Sequence, residues 1–337
     1  MFRKFIVTRI VKESESIKSF YFEREDGLHL DDYKPGQFIS VRVPLNEGTI
    51  TRNYTLSDSP ERSYYRLTIK RELSGKSSHF FHTQVQEGSV LEISKPIGSF
   101  HLTSSALPVV LLSGGVGITP MLSMLEYITE RQPERTVDFL HSSINSAVQP
   151  MAERLKELGR LNSNLTLSIF HTDTQGEMKG VDFDHKGFIT QAHLEKSIRD
   201  RADYFLCGPI PFMKSMYTYL KDLGVATEAI HYEFFGEGAS LEGVTAPTVS
   251  TQNEVNVSFA ASNKTATWDS KFSSILELAE NIGLHPENSC RMGTCASCET
   301  TLLNGEIGYD PEPFLEAQEG NIFICCSQPV SDIKIDL

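Results

Sequence analysis

The 337-residue chain predicts a multidomain fold: an antiparallel β-barrel, then a doubly wound α/β domain, then a small α+β unit. Three observations carry this. Residues up to about 103 hold short, β-branched runs broken by Gly, Pro and Asp/Asn. The next stretch holds continuous apolar runs alternating with helical periodicity. The last quarter crowds three of the chain's six cysteines into nine positions, "CRMGTCASC".

In the first segment, "KFIVTRIV", "SFYFE", "QFISVRV", "YYRLTIKR" and "SVLEIS" read as barrel or sandwich strands, with one helix near "SSHFFHTQVQ" between the last two. In the second, "PVVLLSGG", "TVDFLHSS", "LTLSIFHT" and "DYFLCGP" have the unbroken hydrophobicity of buried parallel strands. "MAERLKELGRL" and "PFMKSMYTYLKDLG" supply crossover helices, and "AIHYEFFG" closes the domain. "EGASLEGVTAPTVSTQ" has the small, polar composition of a linker. Beyond it come a hairpin, "VNVSFAASNKTATWD", a helix, "SSILELAENIG", and the cysteine loop. The expected boundaries are 1–103 for the barrel, 104–238 for the α/β domain, 239–252 for the linker and 253–337 for the last domain.

Hydrophobic content of 39% with 22% charged residues is that of a globular protein with real cores, and excludes a disordered chain. The net charge of −13 argues against nucleic acid as a partner, because such binders present a basic stripe to the phosphates. From residue 253 onward there are 13 acidic against 4 basic residues, so −9 of that charge lies in the cysteine-bearing segment. That concentration suits either a solvated surface or an acidic face for a basic protein partner. The N-terminal residues lack a sustained apolar core and a cleavage site, and no run is long enough to span a bilayer. A cytoplasmic protein without a membrane partner is expected.

Clustered cysteines in a reducing compartment point to metal or redox chemistry rather than disulfides. Cys290, Cys295 and Cys298 form C-x4-C-x2-C, the plant-type 2Fe-2S spacing, and "FICCSQP" offers Cys325 or Cys326 as a fourth thiolate. Zinc sites usually pair two C-x2-C knuckles, which this chain lacks. Gly293 and the small residues Thr294, Ala296 and Ser297 let the backbone close on a cluster and direct amides at its sulfurs. The segment resembles plant-type ferredoxins over its whole length, which implies a β-grasp iron–sulfur domain. The resemblance selects Cys325 as ligand, because the family places a proline four residues after its last cysteine and Pro329 fits.

"RNYTLSDSP" places Arg52, Tyr54 and Thr55 in an R-x-Y-[ST] pattern. Arg suits a phosphate, an aromatic ring covers an isoalloxazine, and a hydroxyl can bond its N5. "IKREL", with Lys70, leads into "GKSSHFFH", where Gly75, Ser77 and Ser78 lie at a helix start that favours anions. A second anion site beside the arginine suits the pyrophosphate of FAD. "VVLLSGGVGITP" sets Gly114, Gly115 and Gly117 between a strand and a helix, followed by Thr119 and Pro120. "FLCGP" ends another strand with Cys207, Gly208 and Pro209, and Phe235 follows in the terminal aromatic stretch.

These elements, in this order over about 240 residues, resemble the ferredoxin-NADP reductase superfamily of flavoproteins. The whole chain resembles reductases with a C-terminal ferredoxin domain, including oxygenase reductase components and the hybrid-cluster protein reductase. The resemblance implies NAD(P)H, FAD and a 2Fe-2S cluster as cofactors, with Tyr54, Thr55 and Cys207 as catalytic candidates and Phe235 shielding the flavin. A hydride carries two electrons and the cluster accepts one at a time; flavin divides the pair, and an oxygenase or hybrid-cluster protein is the implied acceptor. A redox sensor and a general flavin reductase are the alternatives. The strand ending "HSSINSAVQP" has no basic residue for a 2′-phosphate, although His141 lies nearby, and no Rossmann acid, so NADH is favoured over NADPH only by the missing base.

Overall fold

The computed structural model describes residues 2–45, 48–72, 75–199, 201–235, 255–269, 272–288, 293, 296–309, 313 and 317–337. The chain divides into two compact units, residues 1–235 and 236–337.

The first unit opens with strands β1 (Arg3–Lys12), β2 (Ile17–Arg24), β3 (Phe38–Leu45), β4 (Gly48–Thr55) and β5 (Tyr65–Lys70), helix α1 (Lys76–Thr83) and strand β6 (Val90–Ile93). They form an antiparallel sheet in the order β4-β3-β6-β1-β2-β5. A bridge between Leu56 and Leu67 brings its two edges together, so the sheet curls into a barrel. Inward residues such as Phe5, Val7, Phe20, Phe22, Ile39, Val41 and Leu67 are fully buried and fill it, with Phe81 of α1 capping the end. The outlier is β4, whose residues are mostly half-exposed and whose sequence, "GTITRNYT", lacks apolar alternation. It was not among the strand runs legible above, and it carries three of the predicted site residues.

The α/β part follows: β7 (Val109–Gly114), α2 (Ile118–Arg131), β8 (Val137–Ser143), α3 (Ala152–Leu161), β9 (Leu165–His171), β10 (His185–Lys186), α4 (Gln191–Leu194), β11 (Asp203–Cys207), α5 (Ile210–Asp222) and β12 (Ile230–Glu233). The strands pair in parallel in the order β10-β9-β8-β7-β11-β12. Both β7 and β11 are buried at every position, which is why they read as unbroken apolar runs. The order reverses between β7 and β11, the switch point beyond whose carboxyl ends open α/β sheets form their ligand crevice. Phe100 and Leu102, from the end of the barrel segment, join the α/β core, where Phe100 meets Phe205 edge to face at 5.7 Å.

The second unit contains β13 (Asn256–Phe259), β14 (Lys264–Thr267), α6 (Ile275–Asn281), β15 (Glu299–Asn304), β16 (Ile307–Tyr309), β17 (Asn321–Phe323), β18 (Ser327–Pro329) and β19 (Ile333–Ile335). A mixed sheet runs β14-β13-β19-β15-β17, with β13 and β19 parallel at its centre, and β16 pairs with β18 beside it. Ser274 caps α6 by accepting from the Glu277 amide. The buried side of α6 shares a core with Val257, Phe259, Phe323 and Ile335. The expected linker, 239–252, lies outside the described residues.

Candidate functional site

The barrel site is built on the rim formed by β4 and the start of α1. Thr55 ends β4 and is 6% exposed. Tyr54, one residue earlier, stacks edge-on against Phe81 at 5.2 Å, and its hydroxyl hydrogen-bonds the Ser77 hydroxyl at 2.7 Å. Burial of this phenol raises its pKa to about 12, so it stays protonated and able to donate. Arg52, on the same face as Tyr54 by strand alternation, spends one N–H on the Thr51 carbonyl at 2.8 Å.

Gly75 caps α1, and a Cβ there would lie 2.5 Å from the Ser78 hydroxyl oxygen. That oxygen donates to the Gly75 carbonyl and accepts from the Glu72 amide, so Ser78 holds the turn. Lys70 is placed differently: it is exposed and pairs with Glu72 at 3.0 Å. The structure therefore brings Arg52, Tyr54, Thr55, Gly75, Ser77 and Ser78 to one rim, with Lys70 turned to solvent. A phosphate-bearing flavin suits this rim, because Arg52 and the first amides of α1 are anion donors and Tyr54 offers an apolar ring with a bonded hydroxyl.

In the α/β part, Gly114 ends β7 in extended conformation and Gly115–Gly117 form a short 3₁₀ turn leading into α2. Gly115 has φ +54° and open space around it, so only its backbone conformation asks for glycine. Gly117 is the reverse: its backbone is helical, but a Cβ would fall 2.3 Å from the Cys207 carbonyl oxygen. Likewise a Cβ on Gly208 would meet the Gly114 amide nitrogen at 3.0 Å and Phe212 at 2.8 Å, and one on Gly114 would meet Pro209 at 3.1 Å. The two motifs the sequence separated by about ninety residues thus pack backbone to backbone across the crevice. Thr119 turns its hydroxyl to the Val116 carbonyl at 3.2 Å, and Pro120 sits in the first turn of α2, where no amide donor is required.

Cys207 is completely buried, and burial together with the nearby Glu233 pushes its thiol well above the usual range. Glu233 is the residue that the motif reading missed. It lies opposite Cys207 in the β11–β12 register, its Oε2 is sealed from solvent without a hydrogen-bond partner, and desolvation raises its pKa to about 8. The available signal was an acid in an otherwise aromatic strand, "HYEFF". An orphaned carboxyl beside a buried thiol at the switch-point crevice is the group expected to face a bound ligand. Phe235, just beyond, is 44% exposed, whereas Phe234 is buried in the core.

His141 does not face a nucleotide phosphate. Its ring is fully buried, with Nδ1 on the Ser113 hydroxyl at 2.7 Å and Nε2 on Ser143 at 3.0 Å, and burial lowers its pKa to about 3. The loop after β8 does acquire an acid through tertiary structure. Glu177, from the segment after β9, accepts from the Ser146 amide and hydroxyl and bonds His171 Nδ1 at 2.6 Å.

In the second unit, Cys298 and Cys325 are 3% and 6% exposed and belong to the core, while Cys290 and Cys295 lie outside the described residues. Gly293 at φ +65° and Ala296 at φ +56° give the loop two left-handed turns. The Gly293 amide donates to the Cys325 sulfur at 3.3 Å, the kind of bond that stabilises a thiolate ligand. Cys326 instead directs its S–H at the Phe323 carbonyl at 3.6 Å. The described part of the site fits a cluster held by Cys298 and Cys325, with Cys326 as a packed neighbour.

A curled barrel, a parallel sheet with a glycine-lined switch point and a cysteine-loop domain together define the class of flavin- and nicotinamide-dependent iron–sulfur oxidoreductases. The comparisons agree. Residues 4–102 match the oxidoreductase FAD-binding domain, 111–218 the oxidoreductase NAD-binding domain, and 260–330 the 2Fe-2S iron-sulfur cluster binding domain. The flavohemoprotein of Bacillus thuringiensis subsp. konkukian is 41% identical over 251 residues, covering 72% of this chain and 62% of that protein; this chain thus spans less than two thirds of that relative. The FAD/NAD-binding domain of a nitric oxide dioxygenase from Vibrio cholerae aligns with a TM-score of 0.63 at 31% identity, covering 69% of this chain and 98% of that one. Phthalate dioxygenase reductase shares the fold across 100% of this chain and 98% of its own, at a TM-score of 0.66 and 24% identity. The chain belongs to the ferredoxin-NADP reductase superfamily and carries a C-terminal 2Fe-2S domain.

Proposed function

We propose that this protein oxidises NADH and delivers the electrons singly, through FAD and a 2Fe-2S cluster, to a separate acceptor protein of the terminal oxygenase or hybrid-cluster type. The observation that carries this reading is the crevice in which the Gly114–Pro120 turn packs against Cys207–Pro209, with the unpartnered Oε2 of Glu233 beside it. When bound, the flavin accepts a hydride and releases electrons one at a time. The residues of this chain hold and orient. Arg52 and the α1 amides would anchor the phosphates, Tyr54 with Ser77 would fix the ring face, and the Thr55 hydroxyl would meet its N5. Gly115 would leave open space for the nucleotide pyrophosphate where Gly114 and Gly117 close against the second motif, Cys207 supplies a neutral thiol, and Glu233 holds a proton on its carboxyl near neutral pH. Phe235 covers the site until the nicotinamide arrives. Cys290, Cys295, Cys298 and Cys325 would ligate the cluster, and the acidic surface of the last domain suits a basic face on the acceptor.

The preference for NADH rests on the loop after β8. His141 is sealed inside the sheet, and the charged group that reaches this loop is the carboxylate of Glu177, which repels a 2′-phosphate. Anaerobic stopped-flow mixing tests the whole reading. NADH is expected to bleach the flavin first and the cluster second, to support turnover of an artificial one-electron acceptor, and to outperform NADPH in kcat/KM by at least about tenfold. A flavin that stays oxidised removes the reading and leaves the redox-sensor alternative, and a cluster that never follows a reduced flavin removes it and leaves the general flavin reductase.

A further inference from the structure

A buried ionic network joins the barrel to the α/β part of the first unit, and none of the functional motifs accounts for it. On the barrel side it begins two residues after Thr55. Ser57 accepts from Arg66 Nε at 3.2 Å, and Asp58, 2% exposed, pairs with Arg66 at 3.1 Å and with Arg62 at 3.2 Å. On the α/β side it is carried by α2. Glu126, 1% exposed, lies within 3.5 Å of Arg62 and 4.0 Å of Arg66, and takes both a 2.7 Å and a 2.5 Å bond from Arg154 of α3. Ser123 of α2 donates to the Asp58 carbonyl at 2.6 Å, Ser59 donates to Glu130 at 2.7 Å, and Arg62 also pairs with Glu130. The exposed pair Arg131–Glu61 continues the line to the far end of the helix.

Stability alone gives little reason for this arrangement. The apolar contacts of the same interface, Phe100 and Leu102 in the α/β core and Met124 against Gly36, already supply adhesion. Burying carboxylates and arginines costs desolvation that their mutual attraction only offsets, so apolar residues of equal volume would hold the two parts together at least as well. Apolar surfaces can slide, however, and bidentate arginine–carboxylate bonds are directional. What they fix here is specific. The segment 55–59 runs straight from the flavin rim into the network, and α2 runs from the network to Gly117, Thr119 and Pro120 at the nucleotide crevice.

We propose that the network of Asp58, Arg62, Arg66, Glu126 and Arg154 is a positioning device that sets the orientation of the nucleotide crevice relative to Thr55, with Glu126 as its central residue. This inference rests on the function proposed above. Hydride transfer requires reacting atoms held to within a fraction of an ångström, so a loosened orientation is felt in the chemical step rather than in nucleotide binding. The residues act through α2 and the 55–59 segment and touch neither ligand.

The experiment is made on the full, cofactor-loaded chain. Glu126→Gln keeps the side chain's shape and leaves three arginines facing a neutral amide. Two readouts are taken. Nitroxides attached through a ketone-bearing amino acid placed at Glu25 on the barrel and Arg160 on α3, both exposed, report the interdomain distance distribution. Single-turnover kinetics report flavin reduction. The expected result is a broadened distance distribution, a rate at saturating NADH lowered by about tenfold, and a nucleotide KM within about twofold of the parent. If Glu126→Gln does not fold, Ser123→Ala removes the α2 donor to the Asp58 carbonyl, together with its contact to Tyr33, and is expected to shift both readouts the same way by a smaller factor. An unchanged distance distribution in a folded variant overturns the proposal, as does a broadened one with an unaltered rate. Should the parent itself fail to be reduced by NADH, the functional reading falls by that control, and the distance arm still decides whether the network sets the orientation.

Discussion

Gly117 in the nucleotide crevice and Gly293 in the cysteine loop both stand where no side chain fits, yet the two sites use glycine for different ends. Gly117 has ordinary helical dihedrals, and it is the Cys207 carbonyl, 2.3 Å from where a Cβ would be, that excludes any other residue. Gly293 has φ +65°, and a Cβ on it would also fall 2.8 Å from the Pro313 backbone and 2.9 Å from Cys326 Sγ, so conformation and contact both demand glycine. The first site lies between the ends of a regular strand and a regular helix that must approach closely. The second is a loop folded around sulfur. A site between regular elements fails when those elements are pushed apart, whereas a loop site fails when the loop cannot take its turn.

The largest effect is expected from breaking the first kind. Gly117→Ala must separate the start of α2 from the end of β11, and a displacement of about an ångström at a hydride-transfer site costs about a hundredfold. Stopped-flow reduction of the flavin by NADH checks this. Gly115→Ala, with φ +54° but open space, is expected to cost only about 1–2 kcal/mol of stability and to leave the rate within about tenfold. Equal losses from the two variants would show that close approach is not what the crevice requires.

Next in size is the loop site. Cys298→Ser and Gly293→Ala are each expected to abolish the cluster's visible absorbance and bound iron, while NADH reduction of the flavin stays within about twofold, because the two sites belong to separate compact units, each with its own core. Iron analysis alongside single-turnover kinetics decides it. Loss of flavin reduction together with iron would mean that the two sites do not fail separately.

How far the sequence disclosed these sites follows from the same contrast. Strands β7 and β11 are buried throughout and read plainly as apolar runs, and the cysteine spacing is a local pattern that survives without coordinates. The rim strand β4 is half-exposed, so it has no alternation to detect, and only its R-x-Y-T motif marked it. Glu233 was invisible for another reason: its significance is the parallel register that places it opposite Cys207, 26 positions earlier in the chain, and the desolvation that follows. The acid that reaches the loop after β8 was hidden likewise, since Glu177 arrives from a different strand connection. Spacing reveals residues that act from one segment, and tertiary pairing creates the rest.

Glu233 gives a smaller but sharply signed effect. Its carboxyl has an ordinary value of 4.5 and is raised to about 8 in the fold by burial. Between those values the folded chain keeps a proton that the unfolded chain has released, so stability falls as pH rises across the window, by at most about 1.4 kcal/mol per pH unit. Below pH 4.5 and above about 8 the contribution is flat. Buried His141, lowered from 6.5 to about 3, contributes a slope of the opposite sign below pH 6.5, so the Glu233 effect is read as the difference in melting between flavin-stripped wild type and Glu233→Gln from pH 5 to 8. A difference that does not change with pH would mean that the carboxyl is solvated or paired.

The smallest effect tests the edge of the rim. Lys70 belongs to the "IKREL" stretch before the turn that carries Gly75, Ser77 and Ser78, and it lies exposed against Glu72. An exposed pair of this kind contributes between zero and about 1 kcal/mol, so Lys70→Ala should leave the melting temperature and the flavin dissociation constant nearly unchanged. Ser77→Ala, by contrast, removes the partner of a buried tyrosine hydroxyl and should weaken flavin binding by about fivefold, the equivalent of one net hydrogen bond. Flavin titrations of the two variants separate the cases. A tenfold loss for Lys70→Ala would require that lysine to leave Glu72 when the phosphates arrive. The rim would then be a surface that rearranges around its ligand, closer in kind to the cysteine loop than to the preformed crevice at Gly117.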